Sequence, residues 1–96
     1  MLPENRVPTH PGEILNEEFL RPLGVTPAAF AKHIGVPAPR VKEIIRGQRS
    51  VTPETAWLFA QALGTTPEFW LNLQGACNLA RAQPKRKQIA RLQHAA

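Results

Sequence analysis

A single cysteine in 96 residues, Cys77, rules out an internal disulfide. It fits a reducing compartment and the role of a small buried hydrophobe. No apolar run reaches membrane-spanning length, and no charged-then-apolar leader with a small-residue cleavage site opens the chain, so a soluble cytoplasmic protein is the expectation. Period-two alternation is also missing, which leaves an all-α fold. His10, His33 and His94 are scattered, with no carboxylate or cysteine at ligand spacing, so no metal site is expected. Nothing supplies a nucleophile–base pair, a glycine-rich phosphate loop or paired acids; catalysis and cofactor binding have no sequence support. RNA binding through a stacking platform has little support, because no Tyr or Phe has the spacing for one.

What is present is positive charge, unevenly placed. The net charge is +5 and the pI about 10.4. Residues 26–50 hold Lys32, Arg40, Lys42, Arg46 and Arg49 against Glu43 alone. The last sixteen residues hold Arg81, Lys85, Arg86, Lys87 and Arg91 with no acid. The stretches on either side of the block are net acidic, through Glu4, Glu13, Glu17 and Glu18 before it and Glu54 and Glu68 after it. A basic block and a basic tail make a polyanion the first partner to consider. The apolar share of 43% suits one modest core in one domain.

Most of the ten prolines sit where helices begin. Thr-Pro occurs at 26–27, 52–53 and 66–67, each time before an apolar-periodic segment. A Thr hydroxyl satisfies an amide of the first turn, and Pro at the next position gives up an N–H that has no partner there. Glu54 and Glu68 follow in first turns, where the helix dipole favours an acid. These starts predict five helices. Helix 1 runs from about Gly12 to Leu20, with Ile14, Leu15, Phe19 and Leu20 inward, and Arg21-Pro22 ends it. Helix 2 follows Thr26, buries Phe30, Ala31 and Ile34, and stops at Gly35. Helix 3 follows Pro37 and Pro39 and stops at Gly47. Helix 4 follows Thr52, with Ala56, Phe59, Ala60 and Leu63 on its inner face. Helix 5 follows Thr66 with Phe69, Trp70, Leu73 and Cys77. Pro84 either ends it or opens a further basic segment, Lys85 to Leu92.

Helices 2 and 3 are short and joined by Gly35 and Val36, and the second has a basic outer face; this is the pattern of a helix-turn-helix. In that arrangement the second helix enters a DNA major groove by its N-terminal end. Pro37 and Pro39 would fix its start by locking φ. Ala38 and Pro39, at the tip, offer no polar readout and can touch only apolar features such as a thymine methyl. Hydrogen bonding to base edges falls to Arg40, which can clasp guanine, and to Glu43, which can accept from cytosine. Glu43 fits equally well as a salt-bridge partner of Arg40 or Arg46. Lys42, Arg46, Gln48 and Arg49, with Thr26 and Lys32 on the preceding helix, are candidates for phosphate contact.

The segments "HPGEILNEEFLRPLGVTPAAFAKHIGVP" and "VKEIIRGQRSVTPETAWLFAQALGTTPEFWLNLQ" resemble the HigA-type (VapI-like) antitoxins, a branch of the Cro/C1-type (XRE) helix-turn-helix regulators. The similarity spans roughly residues 10–82, and "HPGEIL" and "TPEFWLNLQ" distinguish this branch from a generic Cro/C1 domain. The resemblance implies a five-helix lambda-repressor-like domain at 12–82, with its helix-turn-helix at 27–46. An N-terminal extension, 1–11, precedes it and a basic tail, 83–96, follows. It also implies a homodimer that represses its own operon on a pseudo-palindromic double-stranded DNA operator and binds a partner toxin, typically a ribosome-associated mRNA interferase. Family base contacts map to Ala38, Pro39, Arg40 and Glu43. At the first two of these positions the family commonly has Ser, Gln or Arg.

Three points stay open in the sequence. Phe69 and Leu73 suit the core, whereas Trp57, Trp70 and Leu71 suit either the core or a dimer interface. The tail is either a solvated charge run or a contact to flanking DNA. The acidic face of helix 1, Glu13, Glu17 and Glu18, offers a docking surface for a basic toxin if DNA binding is secondary.

Overall fold

The structure, a computed structural model, describes residues 8–84 and 89–93. Five helices carry the described fold, with no strand among the described residues. Helix α1 is continuous in three stretches, Pro11–Ile14, Leu15–Leu20 and Arg21–Leu23. It is followed by α2 (Pro27–Ile34), α3 (Ala38–Ile45), α4 (Pro53–Leu63) and α5 (Pro67–Arg81).

The middle stretch of α1 is π-helical, and the Arg21 amide donates five residues back to the Asn16 carbonyl. The wider turn brings Leu15 and Leu20 both to full burial although they are five residues apart. It also changes the predicted helix end. Pro22 was expected to stop α1, but it sits in the first turn of the last stretch. The helix runs on to Leu23 and stops at Gly24. A proline is damaging where it removes an i→i−4 bond and meets that carbonyl; the π-turn has already shifted the pairing.

Each Thr-Pro start is a helix start. Thr26, Thr52 and Thr66 are N-caps whose hydroxyls accept from the amides of Ala29, Thr55 and Phe69. Thr52 and Thr55 satisfy each other's backbone amides reciprocally. Helix α3 begins between its two prolines and not after them: Pro37 is the cap, with no side-chain bond, and Pro39 lies in the first turn.

The core gathers around Trp70, which has no exposed surface. Its ring is 5.2 Å from Phe59, edge-on, and 5.4 Å from Phe19, and Phe59 continues to Phe30 at 5.6 Å. The indole N–H donates to Thr65 Oγ1 at 2.7 Å, so the buried polar atom is satisfied. Phe69, expected inside, is instead 38% exposed and packs its edge on Trp70. Leu15, Leu20, Ala31, Val41, Ile44 and Ala56 complete the centre of the core, and Cys77 is buried.

Candidate nucleic-acid interface

The turn between α2 and α3 is made by Gly35, whose φ of 79° lies in the left-handed region that favours glycine. The Val36 amide returns to the Ala31 carbonyl at 3.0 Å and closes the end of α2. Val41 and Ile44 are fully buried, with Ile34, Val36, Ala38 and Ile45 packed around them; these residues fix the angle of α3 on α2. Helices α2 and α3 therefore pack as one unit across the Gly35 turn.

Burial divides α3 into three rows. Val41 and Ile44 face inward. Pro39, Lys42 and Arg46, spaced three and four apart, form the exposed outward row. Arg40 and Glu43 are half-buried on a flank. Lys32, Gln48 and Arg49 are exposed on either side of this helix, and Thr26 caps the helix before it. Ala38 is half-buried and packed against the core, so its methyl serves packing as well as the tip.

The flank residues are held by partners that the sequence did not suggest. Arg40 Nη1 lies 3.6 Å from Glu54 Oε1, in the first turn of α4. Glu43 accepts from Arg49 Nε at 2.8 Å. A Glu43 salt bridge was anticipated with Arg40 or Arg46, one turn away on the same helix. The observed partner lies beyond the helix end because Gly47, at φ 74°, turns the chain back; the Gln48 amide bonds the Glu43 carbonyl at 2.9 Å. Lys32, Lys42 and Arg46 enter no ion pair among the described residues.

The far end of α3 is anchored. Gly12 lies so close to the Ile44 carbonyl and the Ile45 backbone that a Cβ there has no room. "HPGE" is the start of α1. His10 Nδ1 accepts from the Gly12 amide at 2.9 Å, Pro11 opens the helix, and Glu13 stands in its first turn. The imidazole is buried, and burial together with the Arg81 guanidinium lowers its pKa below the ordinary 6.5. His10, Glu13, Arg46, Gly47 and Arg81 line a surface depression of about 380 Å³ where α1, α3 and α5 meet. The loop after α3 is tied to α5: buried Gln74 accepts the Val51 amide at 2.8 Å and donates to Asn78 at 2.9 Å.

The aromatic candidates for a dimer interface separate. Trp70 is wholly inside the core and has no surface to give a partner. Trp57 is 59% exposed on α4, and Leu71 is half-buried against the core. Leu79, near the end of α5, is also exposed. In the tail, Ile89 and Leu92 are exposed and 89–93 adopt no helix; the rest of the proposed basic segment, 85–88, lies outside the described residues, as do residues 1–7 of the extension. No helix among the described residues is long and apolar enough to cross a membrane.

The exposed face of α3 is basic and rests on a helix pair packed into the core, which suits a polyanion. Comparison with known proteins agrees. The helix-turn-helix family model matches residues 17–70. Virulence-associated protein I of Dichelobacter nodosus is 40% identical over 87 residues, covering 90% of this chain and 81% of that protein. Antitoxin HigA-1 of Vibrio cholerae serotype O1 is 46% identical over 74 residues, covering 77% of this chain and 70% of that one. A solved structure of Pseudomonas aeruginosa antitoxin HigA with the higBA promoter matches with a TM-score of 0.76 at 43% identity, over 78% of this chain and 82% of that one. The chain belongs to the Cro/C1-type helix-turn-helix family, in the branch that holds the HigA antitoxins and virulence-associated protein I.

Proposed function

We propose that the protein is a DNA-binding antitoxin that represses its own operon as a homodimer and neutralises a partner toxin by direct binding. The observation that carries the DNA half is the outward row of α3: Pro39, Lys42 and Arg46 stand clear of the core at the end of a rigid helix pair, flanked by Lys32, Gln48 and Arg49. A relative solved with promoter DNA supports it. Each protomer places α3 in a major groove, so the operator is pseudo-palindromic with half-site centres roughly 34–36 Å apart or a multiple of that. Arg40 and Glu43 then sit at the groove edge, Arg40 toward guanine; Lys42 and Arg46 are close to phosphates. Trp57, Leu71 and Leu79 are the apolar surface from which a dimer contact is drawn.

The toxin half rests on kinship with proteins named antitoxins. An mRNA interferase is the expected partner. Glu13 and Glu18 on α1 are its candidate contacts, because Glu17 is already paired with Arg21 at 3.0 Å. A small basic open reading frame directly upstream of the gene, and co-purification of its product, would support this half; a solitary gene would point to a stand-alone regulator.

A second reading, a toxin-binding module with little DNA specificity, is favoured by one feature, the apolar tip Ala38-Pro39. Fluorescence anisotropy decides between them, with upstream DNA and a scrambled duplex titrated at two salt concentrations. Autoregulation requires a preference of at least about a hundredfold and a steep salt slope. Weak, equal binding to both duplexes selects the second reading.

A further inference from the structure

Arg40 is the one candidate base reader with a formal positive charge, and it does not project alone. Its guanidinium lies 3.6 Å from the Glu54 carboxylate on the neighbouring helix, with the Arg40 side chain 37% and the Glu54 side chain 75% exposed. We propose that Glu54 is a specificity-determining positioning residue. It acts through Arg40 by holding the guanidinium at the α3–α4 corner, where it can meet a base edge but not an arbitrary phosphate. This rests on the operator-binding reading above.

An unrestrained arginine beside DNA satisfies itself on phosphates, which are the same for every sequence. A restrained one presents its planar fork in one geometry, and that geometry is what distinguishes guanine O6 and N7 from other edges. The corner would otherwise favour phosphate, because the first turn of α4 carries the positive end of the helix dipole. Glu54 occupies that turn and repels an anion from it. The pair is solvent-facing, so it is weak enough to be exchanged when a better partner arrives. Sequence reading placed Glu54 only as a dipole-favoured acid; its partner comes from a helix fourteen residues earlier, which no local spacing suggests.

The test compares Glu54→Gln, Glu54→Asp, Arg40→Ala and the double variant Arg40→Ala/Glu54→Gln on upstream and scrambled duplexes, each at two salt concentrations. In Glu54→Gln, the released arginine is expected to tighten scrambled binding up to about fivefold, the range of one exposed ion pair, with a steeper salt slope and little gain on the operator. The operator-to-scrambled ratio therefore falls. Glu54→Asp keeps the charge but withdraws the carboxylate by one methylene from a contact already at 3.6 Å, so its ratio lies between those of the wild type and Glu54→Gln. In the Arg40→Ala background, Glu54→Gln leaves the ratio unchanged. The proposal is overturned by an unchanged ratio in Glu54→Gln or by an equal fall with and without Arg40. If the wild-type protein shows no operator preference at all, the operator reading itself fails and takes this inference with it. A preference that survives Glu54→Gln sinks the inference alone.

Discussion

The two ends of α3 are fixed by different means. At its N-terminal end the helix is set by covalent geometry: Pro37 is the cap, Pro39 lies in the first turn, and no side chain bonds to the cap. Prolines lose little backbone entropy on folding, so covalent geometry sets this end, with Ala38 against the core and the exposed Arg40–Glu54 pair as its tertiary contacts. The C-terminal end is held by tertiary contact. Gly12 presses on Ile44 and Ile45, while the His10 ring and Arg81 guanidinium close around Gly47. Beyond it, Gln74 grips the Val51 amide. The tight backbone contact thus lies at the C-terminal end, while the N-terminal end leaves Pro39 and Lys42 exposed for a groove.

Substitutions should separate the two ends. The largest effect belongs to Gly12→Ala, because its Cβ meets the backbone of α3 and not a movable side chain. Urea unfolding should show a loss of about 3 kcal/mol, the upper part of the overpacking range. A loss under about 0.5 kcal/mol, within the range of ordinary surface changes, would remove the distinction between the ends. At the opposite end, Arg40→Ala should leave unfolding nearly unchanged and cost on the order of 1–3 kcal/mol on the operator, with relaxed preference at one base pair. An equal loss on scrambled DNA would make Arg40 a phosphate contact.

The smallest effect is a pH dependence at the anchored end. His10 accepts from the Gly12 amide through Nδ1, which protonation removes, and burial and then Arg81 hold its folded pKa below 6.5. Arg81 and Arg46 add positive charge on the facing elements, against Glu13 on its own helix. Below 6.5 the unfolded chain takes up the proton first. His10's contribution is therefore fully present above that pH and declines as the pH falls from 6.5 toward the lower folded value. His10→Asn keeps an acceptor for the cap without titrating in this range, so its melting temperature should vary less between pH 7.5 and 5. Identical pH profiles for the two proteins would show that His10 is not the titrating group.

What the sequence made legible was local. Thr-Pro steps marked three helix starts because cap and first turn are adjacent in the chain. Gly35 and Gly47 marked turns for the same reason. The basic outer face of α3 followed from its inner stripe, Val41 and Ile44. What it hid depended on distant residues or altered register. The π-turn let α1 pass through Pro22. Trp70 and Phe69 are neighbours in sequence, so spacing did not say which would be fully enclosed. The ion partners of Arg40 and Glu43 came from another helix and from beyond a turn. Gly12 read as the start of a helix, yet its small size matters because another helix backbone lies against it.

The contrast between the two tryptophans has a practical consequence. Trp70 is sealed within the core and donates its N–H to Thr65, whereas Trp57 stands in solvent on α4. The protein thus carries two intrinsic fluorophores in opposite surroundings, without any added label. Trp70 emission reports whether the chain is folded, and Trp57 emission reports whether anything has come to rest on α4. Single Trp→Phe variants would read the two signals separately, so assembly can be followed in the same cuvette as folding.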